Sequence, residues 1–386
     1  IIKDPFELQE SIKLLRAQNK TIGLVPTMGA LHEGHLSLIS QSQKENDITV
    51  VSIFVNPTQF GPNEDFNNYP RTFDEDREKL GNLGVDFLFN PNPSSIYPHH
   101  FNSFIKVLDP LTETLCGAKR PGHFEGVTTV VGILFHLAMP HRAYFGLKDY
   151  QQFLVIKKMA QDLFFPVKVC PVPIFRESDG LAMSSRNRYL SKEERQAAPV
   201  LYQSLKEVEQ AYLSGNKKAQ FLKDMLFDKI SSCPLAKIDY IELLDADSLE
   251  EFDSSLTSKR IVVALAVYFG KARLIDNIIL QEEIPPAEIA PILDKRRAQR
   301  EKSFISVIFN EKAEGFLTNI SASGCQIFIE NTLDCNISPT EVTLQISIPK
   351  NLLGGKVEKC ILYGQVAWKK KQQTYLLFGI QFNHQD

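Results

Sequence analysis
The rhythm of apolar and polar positions changes twice along this chain. Residues 21–26 (TIGLVP) and 48–55 (ITVVSIFV) are apolar throughout, and residues 35–43 between them alternate with helical spacing. A strand without a polar face needs cover on both sides, so this succession predicts a βαβ unit in a parallel sheet. Further strands are predicted at 85–89, 143–145 and 167–171, separated by helical stretches such as 73–82 and 126–137. Together they predict a doubly wound α/β domain over residues 1–176. Beyond it, 192–214 and 219–230 read as helices. Residues 237–244, 260–268 and 271–280 read as strands, the last two joined by a hairpin around Gly270. This second part, 177–280, is a smaller α+β domain. Residues 281–291 (QEEIPPAEIAP) are acidic, and Pro285, Pro286 and Pro291 oppose a continuous helix, so 281–293 is read as a linker. Closely spaced strand-like runs then follow at 304–309, 314–320, 324–330, 342–348, 359–368 and 374–382. They predict a small antiparallel β-barrel over 294–386.

Composition narrows the class. The chain has 386 residues, enough for two or three domains with cores of their own. Its 43% hydrophobic and 23% charged residues are ordinary for a soluble globular protein. A net charge of −3 gives no basic field for nucleic acid or an anionic membrane, and no apolar run has the length of a membrane span. The six cysteines are scattered without a C-x-x-C pair, which predicts reduced, buried thiols in a cytoplasmic protein. The first residues, IIKD, form neither a signal peptide nor a methionine start, so one or more residues are expected to precede them.

Candidate chemistry gathers at the ends of the predicted strands. After the first comes PTMGALHEGH, residues 26–35, with His32 and His35 three apart at the entry to a helix, where they project to one side. Gly29 and Gly34 allow close backbone approach, and a helix N-terminus offers N–H donors and partial positive charge. Imidazoles there suit a phosphate whose α-phosphorus is under attack. A plain surface loop and a metal-binding pair are the competing readings; the second lacks a third ligand at suitable spacing. Asn56 and Gln59 follow the next strand, where doubly wound sheets bind ligands, and amides there can read a hydroxy acid. Residues 145–152 (FGLKDYQQ) place Lys148 and Gln152 at another strand end, and 179–187 (DGLAMSSRN) put Ser184, Ser185 and Arg186 in one loop, a phosphate-clamping set.

These segments, with SIFVNPTQF, NYPRT, RPGHFEGV, RNRYL and ARLIDN in order, resemble pantothenate synthetase across residues 1–280. The resemblance implies a nucleotidyltransferase fold and a two-step reaction. Pantoate attacks the α-phosphorus of ATP, with Mg²⁺, to give pantoyl adenylate and pyrophosphate; β-alanine then attacks the acyl carbon and releases AMP. It further implies that Met28, Gly29, Ala30, Leu31, His32, Glu33, Gly34 and His35 form the ATP loop, with His35 as catalytic acid. Gly146, Leu147, Lys148, Asp149, Phe175, Met183, Ser184, Ser185 and Arg186 would also contact ATP. Gln59 and Gln152 would bind (R)-pantoate, Gln59 also lying near β-alanine, with Asn56, Arg120 and His123 around the acyl pocket. The second domain would be a lid that protects the adenylate from water, and the molecule a homodimer. Two departures stand out: Leu147 replaces the family's usual glutamate, and Lys79 stands in the acidic stretch 72–76 and beyond where an amide is usual. The metal ligands therefore stay open. The alternatives are a nucleotidyltransferase for another substrate and a catalytically inactive scaffold.

The C-terminal part carries RRAQR at 296–300, NISASG at 319–324, GQVAW at 364–368 and GIQF at 379–382. This resembles a PilZ domain, which implies cyclic di-GMP as ligand and Arg296, Arg300, Asn319, Ser321 and Gly324 as its site. Arginine pairs with phosphate and stacks on guanine, and Asn319 and Ser321 are two apart on a predicted strand.

Overall fold
The computed structural model describes residues 1–281 except 63, 109 and 252–259. In the C-terminal part it describes residues 305–309, 313–321, 324–330, 342–346, 360–372 and 375–382. The chain divides into two compact units, Ile1–Glu282 and Glu283–Asp386.

The first unit opens with helix α1 (Pro5–Ala17), started by Asp4, whose carboxylate accepts the Glu7 N–H, and by Pro5 in the first turn. Strand β1 (Ile22–Thr27) leads to α2 (Glu33–Glu45), then β2 (Ile48–Ile53), α3 (Phe73–Asn82) and β3 (Phe87–Phe89). Short helices α4 (Pro93–Ile96), α5 (Pro110–Glu113) and α6 (Leu115–Lys119) precede the long α7 (His123–Ala138). Then come β4 (Arg142–Gly146), α8 (Tyr150–Asp162) and β5 (Lys168–Val172). The five strands pair parallel in the order β3-β2-β1-β4-β5. β1 and β2 are buried almost end to end, as their unbroken apolar runs require. One face of the sheet is covered by α1, α7 and α8 through a large apolar cluster, the other by α2 and α3. The predicted doubly wound sheet is thus observed. Helices α1 and α8 add to the sequence pattern: α1 precedes the first strand signal, and the stretch 145–152 by itself reads as a strand-end loop.

α7 is buried nearly all round, which is why its sequence lacks a polar face. At Gly126 it presses against the Pro57–Gln59 turn, where an added Cβ would lie 2.4 Å from the Thr58 carbonyl oxygen and 2.7 Å from the Gln59 nitrogen.

The remainder of this unit holds α9 (Lys192–Ala197), α10 (Val200–Leu213), α11 (Ala219–Ser231) and the antiparallel sheet β6 (Ala236–Asp245), β7 (Arg260–Phe269), β8 (Ala272–Gln281), around a second apolar cluster. The single helix expected over 192–214 is two helices. Pro199, without an N–H, stands between them, and Ser191 caps the first half with Glu194. The β7–β8 hairpin turns at Gly270, with φ +54°. Among the described residues no helix is long and apolar enough to cross a membrane.

In the second unit, β9 (Ile305–Phe309), β10 (Ala313–Ser321), β11 (Gly324–Glu330), β12 (Val342–Ile346), β13 (Cys360–Gln372) and β14 (Tyr375–Phe382) all pair antiparallel. Asn319 pairs in register with Gln326, and Ser321 with Gly324. Arg296, Arg300 and nearly all of the expected linker 281–293 lie outside the described residues.

Gly126→Ala gains helix propensity worth about 1 kcal/mol but must displace the 57–59 turn, an overpacking cost of about 1–3 kcal/mol. Its melting temperature should therefore fall, and an unchanged or raised value in a thermal melt would contradict this packing.

Candidate active site
Strand order reverses beside β1, which leads out to β2 and β3 on one side and has β4 and β5 on the other. A crevice opens at such a switch, outside the C-terminal ends of the central strands. The loops there are 28–32 after β1 and 147–149 after β4.

The first loop turns through Gly29 and Ala30, at φ +83° and +50°. A left-handed alanine is strained and needs support from outside the loop. Asp76 of α3, 1% exposed, supplies it: its Oδ2 accepts the Ala30 N–H at 2.8 Å and its Oδ1 the Leu31 N–H at 2.7 Å. Lys79, one turn on, donates to the Leu31 carbonyl at 2.7 Å. The bend delivers His32 to the start of α2. The His32 and His35 rings lie 4.1 Å apart between centroids, and Gly34 leaves room for the first, since a Cβ would meet it at 3.0 Å. Burial, then the charge of Lys148, lowers His32 from 6.5 to about 4; burial, then His32 and Lys148, lowers His35 to about 3. Both rings are neutral at pH 7. His35 Nδ1 accepts the His32 backbone N–H at 3.4 Å, so its proton sits on Nε2.

Asn56 is buried and fully engaged. Its Nδ2 donates to Gln59 Oε1 at 3.2 Å and to the Gly126 carbonyl at 3.0 Å, and its Oδ1 accepts from the Tyr97 hydroxyl at 2.7 Å. Gln59 Nε2 donates to Met28 Sδ at 3.0 Å. These bonds use one donor and one acceptor position of the Gln59 amide and orient the rest. The neighbouring glutamines on α8 differ. Gln151 is buried, bonded to the backbones of Leu111, Thr114 and Cys116, while Gln152 faces the cavities. Arg120 pairs bidentately with Glu64 at 2.5 and 2.6 Å and donates to His123 Nε2 at 3.0 Å, and His123 Nδ1 donates to the Gln59 carbonyl at 2.7 Å. Burial, then Arg120, lowers His123 to about 4.

Two cavities meet at this place. The smaller, about 220 Å³, is lined by Met28, His32, Gly34, His35, Asn56, Gln59, Gly146, Lys148, Asp149, Gln152, Phe175 and Met183–Arg186, with apolar walls from Val127, Val130, Val131 and Leu134 of α7. The larger, about 730 Å³, shares Lys148, Asp149, Gln152, Ser184 and Arg186, and adds Arg120, His123 and the face of β7–β8. Gly29, Ala30, Leu31, Glu33 and Leu147 line neither cavity, and the N–H groups of Ala30 and Leu31 already bond Asp76. Ser184 Oγ caps the turn carrying Arg186, accepting its N–H at 3.2 Å; Ser185 is buried against the Tyr69 hydroxyl, and Arg186 Nη2 meets Asp65 at 3.0 Å. Cys116 and Cys170 are buried thiols, and Cys233 is half-buried. Asp76, Lys79, Arg176, Asp276 and Asn277 hold this arrangement together. The sequence pointed to Asp76 and Lys79 through the stretch after NYPRT and to Asp276 and Asn277 through ARLIDN, and gave no sign of Arg176.

The chain that carries this site has known relatives. The family model for pantoate-beta-alanine ligase matches residues 1–279. The chain belongs to the pantoate-beta-alanine ligase family. The pantothenate synthetases of Thermotoga petrophila and Clostridium botulinum are 50% identical over 280 residues and 52% identical over 266; the matches cover 72% and 69% of this chain and 99% and 94% of theirs. Among solved structures, the pantothenate synthetase of Thermus thermophilus superposes with a TM-score of 0.69 at 42% identity, covering 72% of this chain and 99% of its own. The pantoate-beta-alanine ligase of Francisella tularensis, complexed with beta-gamma ATP and beta-alanine, gives 0.59 at 37% identity, covering 72% and 96%. The N-terminal unit therefore has the family's ligase activity in pantothenate biosynthesis. The family model for the PilZ domain matches residues 294–386.

His32, His35 and His123 bind protons more weakly folded than unfolded. Between about pH 6.5 and pH 4 the unfolded chain holds more protons, so stability rises with pH across that window and is lost as pH falls through it. Denaturant melts at pH 7, 6 and 5 should show a falling midpoint, with a shallower fall in His123→Gln. A midpoint that holds or climbs on acidification would contradict the burial of these rings.

Proposed function
We propose that the chain condenses (R)-pantoate with β-alanine to pantothenate, using ATP and passing through pantoyl adenylate. The observation that carries this reading is the meeting, in one cavity, of His32, His35, Lys148, Ser184 and Arg186 with the oriented amide of Gln59 and the Gln152 side chain. A carboxylate is a poor acyl donor. Attack of a pantoate carboxylate oxygen on the α-phosphorus breaks the bond to pyrophosphate and leaves a mixed anhydride with AMP. The β-alanine amine then bonds to the acyl carbon, AMP leaves with the C–O electron pair, and the nitrogen loses its extra proton to solvent.

Each residue has a physical part in this. His35 offers a neutral Nε2–H donor to charge growing on the phosphate oxygens, where a preorganised donor is most effective. The negative phosphates raise its proton affinity as they arrive. Lys148 is a point charge beside them, while Ser184, Ser185 and Arg186 close over the same side. Gln59 and Gln152 bind the pantoate hydroxyl and carboxylate. Asn56, Arg120 and His123 act by orienting Gln59. Among the described residues no group of three His, Cys, Asp or Glu could hold a metal ion. A Mg²⁺ carried on the triphosphate needs only one or two protein carboxylates, and Asp149, which lines both cavities, is the carboxylate we propose for it. Residues 177–280 form the lid lobe, and the enzyme works in the cytoplasm as a homodimer.

The six strands of the second unit close into the barrel of a PilZ domain that senses cyclic di-GMP. Arg296 and Arg300 supply guanidinium planes, and Asn319, Ser321 and Gly324 the strand-borne part of the site. The place of Asn319, Ser321 and Gly324 on β10 and β11, where these strands join, supports this.

Pyrophosphate release should require pantoate, and pantothenate should require β-alanine as well. His35→Ala should lower kcat about 10²–10³-fold with unchanged circular dichroism. Release without pantoate, or near-wild-type turnover by the variant, would favour another adenylyl acceptor or another role for His35; a pure scaffold would release none. In titrations of the full chain, cyclic di-GMP should saturate, and Arg300→Ala should weaken it about tenfold to hundredfold, the loss of one charge-assisted contact of about 1.5–3 kcal/mol. Equal binding by the variant would remove Arg300 from the site.

A further inference from the structure
The ARLIDN segment, residues 272–277, takes no part in the reaction above, yet its last two side chains are almost wholly buried. A carboxylate is buried only with full partners. Asp276 has them: Arg176 Nη1 and Nη2 donate to Oδ2 and Oδ1 at 2.7 and 2.9 Å, and the Asn277 N–H donates to Oδ1 at 2.7 Å. The same guanidinium stacks 3.8 Å from the Tyr202 ring centroid and donates to the Gly180 carbonyl. Arg176 also forms an isolated bridge with Ala182, the residue before Met183. Asn277 Nδ2 donates at 3.0 Å to the carbonyls of both Leu147 and Lys148, which uses both of its protons. One buried pair on β8 therefore grips two of the loops that line the cavities, 147–149 directly and 176–186 through Arg176.

We propose that Asp276 and Asn277 are positioning residues, which set the Lys148 backbone and the 183–186 loop in register with one another around the phosphates. A lysine ammonium rides on four flexible carbons, so where it can act is decided by the backbone that carries it. A misplacement of about 1 Å at a reacting group costs about 10²-fold in rate. The inference rests on Lys148 as a phosphate-binding residue.

Asn277→Asp keeps the shape and sets an acceptor against two carbonyls. With pantoate and β-alanine saturating, kcat/KM for ATP should fall about tenfold to hundredfold while KM for pantoate stays within twofold. In a double-mutant cycle, Asn277→Asp should add nothing to Lys148→Ala. Near-wild-type turnover by Lys148→Ala would defeat the reading of Lys148 itself. An impaired Lys148→Ala whose loss adds in full to that of Asn277→Asp would overturn the positioning inference and leave that reading intact. A purely structural role would lower the melting temperature and the active fraction but leave KM for ATP unchanged and the two losses additive. Should the aspartate variant fail to fold, Asn277→Ser, too short to reach either carbonyl, enters the same cycle.

Discussion
A single buried carboxylate sets the geometry on which the reaction depends. Asp76 satisfies both of its oxygens with the N–H groups of Ala30 and Leu31, and in return holds an alanine in a left-handed conformation it would not keep alone. Without that bend α2 would not begin where it does, and His32 and His35 would not stack at its entrance. Lys79 reinforces the same turn from the next position along α3 and adds a positive charge that helps keep His35 unprotonated.

Several side chains around the cavities are fixed by protein partners in the structure itself. Asn56, Gln151, His123 and the Glu64–Arg120 pair have their polar atoms engaged by protein partners, and each steadies a loop or an amide in front of it. Burial keeps the histidines neutral without silencing them, because a neutral imidazole still donates one hydrogen bond. In the proposed reaction such preorganised donors would need little reorganisation as charge develops on the phosphates.

A ligase unit and a PilZ domain in one chain give this protein two binding chemistries that ask for the same side chain. Arginine is the residue proposed to meet phosphate at Arg186 and again at Arg296 and Arg300, since its planar fork matches phosphate oxygens better than an ammonium does. Any influence of one unit on the other requires a ligand that binds two states of the chain unequally.

Much of the architecture could be read from the chain because it rests on local periodicity. The largely apolar runs at 21–26 and 48–55 pointed to covered parallel strands, and closely spaced strand-like runs in the C-terminal part to antiparallel ones. The candidate site residues were legible through motif spacing: His32 and His35 sit on one helix start, and Ser184 to Arg186 in one turn. What periodicity did not reveal depends on contacts distant in sequence. Pro199 split a helix, and α1 and α8 formed on cores supplied from elsewhere. Of the adjacent amides, burial decided that Gln151 is a peg and Gln152 faces the cavities. Asn56, Arg120 and His123, expected around the acyl pocket, line the cavities, and only the packing shows that Tyr97, Glu64 and the backbone of Gln59 also hold them. Asp76, 46 residues from Ala30, and Asn277, about 130 from Lys148, find their partners only when the sheets pack, because a hydrogen bond needs its atoms within about 3 Å and sequence spacing carries no such distance.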